Sequence, residues 1–131
     1  MSAIAAIVPR FKRKQTNMIL SIDLIKGYHA HIYYDAESKS KAQALSKAVE
    51  NQFGEAVFGR WHDRPVGPHP DWSHQISFRP ELFDKIIPYL ALNRNGLVIF
   101  THPNTDDVLR DHNDGAIWMG NIRPLNFDAL V

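Results

Sequence analysis

The chain contains no cysteine. Disulfides, thiolate metal ligands and a cysteine nucleophile are excluded together, and the absence suits a reducing, cytoplasmic setting. Charge of one sign is also missing. A formal net charge of +1 over 131 residues arises from interspersed acids and bases, so no field draws the protein onto nucleic acid or an anionic membrane. No apolar run is long enough to span a bilayer. Glycine-rich phosphate loops, a G-x-S-x-G elbow, H-E-x-x-H and a dinucleotide fingerprint are all absent. What remains for metal chemistry is His, Asp and Glu. The one compositional oddity is seven histidines, five of them within stretches 29–31, 69–74 and 102.

Hydrophobic residues at 44% and charged residues at 22% lie in the globular range. A chain of this length forms one domain and buries roughly two-thirds of its unfolded surface. Residues 1–26 read as an N-terminal arm that need not be ordered. Its apolar segment precedes Arg10, Lys12, Arg13 and Lys14, the reverse of a secretory signal. Residues 27–131 read as the domain.

Residues 27–34 alternate with period two. Tyr28, Ala30, Ile32 and Tyr34 share one strand face, and His29, His31 and Tyr33 the other. Ser38 offers an N-cap to a helix on which Ala42, Leu45, Ala48, Val49 and Phe53 recur, ended by Gly54. Strands follow at 56–61 and 72–78. Pro80 opens a second helix lined by Leu82, Phe83, Ile86, Ile87, Leu90 and Ala91, and Asn95-Gly96 ends it before a strand at 97–101. The order β-α-β-β-α-β predicts an α+β, ferredoxin-like sandwich: a four-stranded antiparallel sheet with two helices on one face. A C-terminal extension bearing Ile117, Trp118, Leu125 and Phe127 is apolar enough to cover the open face or a partner subunit.

On a strand, His29 and His31 project from the same side about 7 Å apart. They are either two ligands of one ion or two hydrogen-bonded strand histidines. His69 stands among Pro65, Pro68 and Pro70, whose fixed φ angles stiffen the loop and present the imidazole. His74 shares a face with Ile76 and Phe78, so it reads equally as a core histidine. His102 falls at a strand end, ahead of Asp106, Asp107 and Asp111, any of which could add an oxygen ligand or orient an imidazole. Asp106 also suits a helix cap, and His112 is open between supporting and direct roles. Arg60 and Arg79 are candidates to clamp a carboxylate.

Four stretches are long enough to compare with a known family: Tyr28-His29-Ala30-His31-Ile32-Tyr33-Tyr34, Pro65-Val66-Gly67-Pro68-His69-Pro70, Leu92-Asn93-Arg94-Asn95-Gly96-Leu97 with Thr101-His102-Pro103-Asn104-Thr105, and Asp111-His112 ahead of Trp118-Met119-Gly120. From residue 28 to about 125 the chain resembles the DOPA 4,5-dioxygenase family. That resemblance implies an extradiol enzyme opening a catechol such as DOPA with O2 at non-haem Fe(II), in a small ferredoxin-like homodimer. Zinc would be an adventitious occupant. On this reading His29, His31 and His102 hold the metal, unless Asp106, Asp107 or Asp111 replaces one of them. His69 is the first choice for acid and base, with His74 and His112 behind it, and Arg60, Arg79 and Tyr33 contact substrate. The alternative is a non-catalytic metal- or small-aromatic-binding module on the same fold.

Overall fold

The computed structural model describes residues 19–131. Most of the expected N-terminal arm, residues 1–18, lies outside the described residues. Within the rest of it, Ser21 caps a 3-10 turn over Ile22–Leu24. The Lys26 N–H donates to the Asn104 carbonyl at 2.8 Å, so the chain joins the sheet before its first strand begins.

The elements run β1 (Gly27–Tyr34), α1 (Lys39–Gln52), β2 (Val57–His62), β3 (Trp72–Phe78), α2 (Phe83–Asn93), β4 (Ile99–Asn104), α3 (Val108–His112) and β5 (Ile117–Met119). The sheet is antiparallel in the order β2-β3-β1-β4-β5. The expected four strands are therefore five. Part of the C-terminal extension pairs with β4, with Phe100 opposite Trp118.

Alternation along β1 divides the molecule into two faces. Ala30, Ile32 and Tyr34 join Ile76, Phe78 and Ile99 under Ala42, Leu45 and Val49 of α1 and Ile86 and Leu90 of α2. Each of the Val, Leu, Ile and Phe side chains among them contributes about 1.5–3 kcal/mol by leaving water. The opposite face carries His29, His31 and Tyr33. Cross-strand partners share a face, so His102, opposite His29, and Phe100, opposite His31, stand there too.

Local chemistry accounts for the boundaries. Ser38 occupies the N-cap of α1 but its hydroxyl does not cap the helix. It donates instead to the Asp35 carboxylate, which also accepts the N–H groups of Glu37 and Ser38 at 3.0 and 2.9 Å and closes the turn after β1. Pro80 starts a 3-10 turn that leads into α2. Asn95 and Gly96 both take left-handed φ, 52° and 83°, and end that helix as expected. The fourth strand starts later than expected and runs through Asn104, which puts His102 inside it rather than at its end. Among the described residues no helix is long and apolar enough to cross a membrane.

Candidate metal centre

Two neighbouring strands bring three imidazoles together. One candidate ligand nitrogen each from His29, His31 and His102 lie within 4.8 Å of one another. His31 Nε2 is 3.1 Å from His102 Nε2. His102 Nδ1 sits 2.9 Å from the Pro103 carbonyl. A carbonyl only accepts, so Nδ1 carries the proton of the neutral ring and Nε2 turns a lone pair toward His31. Two ligands each about 2.1 Å from one ion and at ordinary angles stand roughly 3.0–3.4 Å apart. The observed 3.1 Å separation fits a single ion held between them. An all-imidazole donor set suits iron or zinc and disfavours Mg2+ and Ca2+, which take oxygen. His31 and His102 are 4% and 1% exposed, whereas His29 is half-buried and forms the open side of the triad.

Two further histidines close around it. The His69 ring lies 4.2 Å from that of His31, and the His112 ring 3.9 Å from that of His102. His112 donates from Nδ1 to the Val108 carbonyl at 2.8 Å. His69 rests on a turn in which its own N–H reaches the Val66 carbonyl at 3.0 Å, made possible by the left-handed φ of 56° at Gly67. Tyr33 Oη is 2.8 Å from His69 Nδ1. Phe100 floors the group and stacks on Trp118 with centroids 4.6 Å apart.

Burial disfavours the protonated form of each ring, and neighbouring imidazoles add to it at every ring but His112. His102 is pushed down to about 3 and His69 to about 4. His31 is driven well below its ordinary value, and His29 and His112 are lowered in the same sense. All five rings are thus neutral at neutral pH, the state in which an imidazole binds a cation.

Other expected residues lie elsewhere. His74 is 1% exposed on the helix-covered face. Its Nε2 meets the Ser46 hydroxyl at 2.8 Å, its Nδ1 meets the Arg60 carbonyl at 3.3 Å, and its ring lies parallel to Trp61 at 3.7 Å. The sheet separates it from the triad, so the catalytic placing of His74 gives way to the core one. The Arg60 side chain is exposed, and Arg60 does not line the cavity beside His29. Tyr33 is 4% exposed with its hydroxyl on His69, and it lines a second cavity with Asp71 and Arg123 rather than the one beside His29. Arg79 does line the cavity beside His29, paired with Glu55 at 2.9 Å.

None of the three Asp candidates replaces an imidazole. Asp106 pairs with Lys26 at 2.6 Å on the surface. Asp107, rather than Asp106, caps α3 through the Arg110 N–H. Asp111 is buried with both oxygens committed to Thr105, at 2.7 Å each. One residue the sequence reading passed over is His62, which pairs with Ser73 and so shares the face of Tyr33. An irregularity between Phe58 and Trp61 breaks the alternation of β2, and period-two reasoning could not assign its face.

The fold and this site define a class: small α+β proteins that present an all-histidine, metal-competent cluster on the free face of an antiparallel sheet. More specifically, the chain belongs to the Dopa 4,5-dioxygenase family, whose pattern matches residues 28–129. It is 36% identical over 114 residues to a DOPA 4,5-dioxygenase of Amanita muscaria, an alignment covering 81% of this chain and 50% of the relative. It is also 36% identical over 118 residues to an uncharacterized 21.2 kDa protein of Botryotinia fuckeliana, covering 81% of this chain and 64% of that one. The chain thus spans about half to two-thirds of the length of these curated relatives. A crystal structure from Nostoc punctiforme, of a protein provisionally named a dioxygenase, superposes with a TM-score of 0.83 at 41% identity. That match covers 86% of this chain and 96% of the other.

Proposed function

We propose that the chain is an extradiol ring-opening dioxygenase acting on a catechol such as DOPA, with non-haem Fe(II) held by His29, His31 and His102 on a ferredoxin-like core. The observation that carries this reading is the convergence of three neutral imidazoles, with a fourth, His69, in ring contact with His31, in a chain of this family. Ferrous iron supplies the Lewis acidity and redox reactivity that bring a catechol and O2 together. In the overall reaction a ring carbon–carbon bond next to the diol breaks and both oxygen atoms enter the product.

The chain's own residues do the rest. His29, His31 and His102 offer neutral nitrogen donors and leave His29's side open for substrate. A cavity of about 260 Å³ adjoins that side and is walled by His29, Gly27, Ser77, Val57, Glu55 and Arg79, among others. The Arg79 guanidinium is exposed and can exchange Glu55 for a substrate carboxylate. Phe100 and Trp118 exclude water from the inner side. His69 moves the proton, because an imidazole at the edge of the triad can give one to a developing anionic oxygen and take one back from a hydroxyl afterwards.

The test is aerobic incubation of iron-loaded protein with catechols while oxygen uptake and visible absorbance are followed. A yellow ring-opened product with one O2 consumed per catechol is the expected result. Tight binding of iron or zinc without oxygen uptake from any catechol would overturn the reading and leave a metal- or aromatic-binding module. Zinc-loaded protein should bind metal and stay inactive, because zinc has no accessible redox chemistry.

A further inference from the structure

We propose that Tyr33 is a positioning residue that holds His69 in a single tautomer, with its proton on Nε2. The backbone already fixes where His69 stands. Its N–H is tied to the Val66 carbonyl, Gly67 supplies the left-handed turn, and the flanks of the loop are fastened to the C-terminal segment. There the Asn126 N–H donates to the Pro68 carbonyl at 2.8 Å, and Arg123 grips both oxygens of Asp71 at 2.7 and 3.1 Å.

None of these contacts determines how the imidazole is turned or which nitrogen bears its proton. The hydrogen bond made by the ring itself runs to Tyr33 Oη, 2.8 Å from Nδ1. A phenol donates more readily than a neutral imidazole N–H, and an imidazole nitrogen is a good acceptor. Tyr33 therefore donates, Nδ1 accepts, and Nε2 carries the ring's only proton. The phenol is 4% exposed and its ring packs edge-on against both His69 and Trp118. Because Tyr33 follows His31 by two residues on β1, one strand face sets the metal ligand and the group that orients its neighbour.

The catalytic consequence rests on the function proposed above: in the resting enzyme His69 presents an N–H, and its first act toward the reacting molecule is to donate. The tautomer itself does not depend on that function, and the experiment uses this separation. Long-range proton–nitrogen correlation spectra of zinc-loaded protein report the tautomer of each ring, and His69→Gln identifies the His69 signals by their loss. Wild type should show Nε2–H, and Tyr33→Phe, which keeps the aromatic packing, should show a mixture or a switch to Nδ1–H. With iron, Tyr33→Phe should lower kcat at least about tenfold while KM and metal affinity stay within about twofold. An unchanged tautomer in Tyr33→Phe would overturn the proposal, as would loss of metal affinity in step with kcat, which would make Tyr33 a support of the triad. If wild type opens no catechol, the dioxygenase reading falls and the spectra still decide the role of Tyr33.

Discussion

His102 and His74 illustrate how two buried histidines, on the two strands that flank β1, come to opposite uses. His102 commits Nδ1 to a carbonyl and keeps Nε2 free toward His31. His74 has a partner at both nitrogens and a ring stacked on Trp61. The first is built to take a ligand and the second is saturated. Replacing His102 by Ala should reduce zinc or ferrous affinity by at least about 100-fold, as read by calorimetry, since even residues behind a ligand are worth 10–100-fold. His74→Ala should leave metal stoichiometry per folded molecule unchanged. It should lower folding stability by about 2–4 kcal/mol, from the cavity it leaves and the unpaired Ser46 hydroxyl, measurable by urea denaturation. The face of His74 was legible in its spacing from Ile76 and Phe78. The partners that satisfy it were not, because Ser46 and Trp61 come from α1 and β2.

At the level of elements, the site depends on one loop and one late strand. The turn carrying His69 requires a positive φ at Gly67, where an added Cβ would meet nothing within 4 Å. Gly67→Ala therefore isolates the backbone cost. The folded protein should lose about 1–2 kcal/mol, the usual penalty for a left-handed alanine, and kcat should fall more than metal affinity as His69 drifts from its partner Tyr33. Thermal melts and steady-state kinetics on the same sample would check both. The prolines around His69 announced a stiff loop in the sequence, and the loop is there. The strand Ile117–Met119 was not expected. Three residues are too few for an alternating pattern, and only the free edge of β4 recruits them into the sheet.

Across the whole molecule, five neutral imidazoles crowd one sheet face, and this makes the fold sensitive to acid. His102 and His69 ordinarily titrate near 6.5 but fall to about 3 and about 4 when folded. Between those limits the unfolded chain binds more protons than the folded one, so stability is full above about 6.5 and declines as pH falls toward the folded values. Each such group contributes a slope of up to about 1.4 kcal/mol per pH unit. Urea denaturation of metal-free protein at pH 7.0, 5.5 and 4.5 should show this decline, and the double variant His69→Asn, His102→Asn should flatten it. Zinc at about 100 times its Kd should add about 2.7 kcal/mol at neutral pH by binding the folded state, and lose that effect on acidification as protons compete for the same nitrogens.

The sequence by itself determined the first four strands, the two long helices and the two faces of β1, since period-two and helical spacing are local properties of the chain. It also determined the absence of thiolate ligands and, through four extended motifs, the family. Only the tertiary structure decided which histidines meet. Cross-strand register sets His29 opposite His102, and a shift of one residue would have turned His102 to the other face. The same is true of Tyr33, whose hydroxyl reads in sequence as a substrate contact and in the fold reaches His69. Pairing across 36 residues of chain is settled by packing, and no local pattern encodes it.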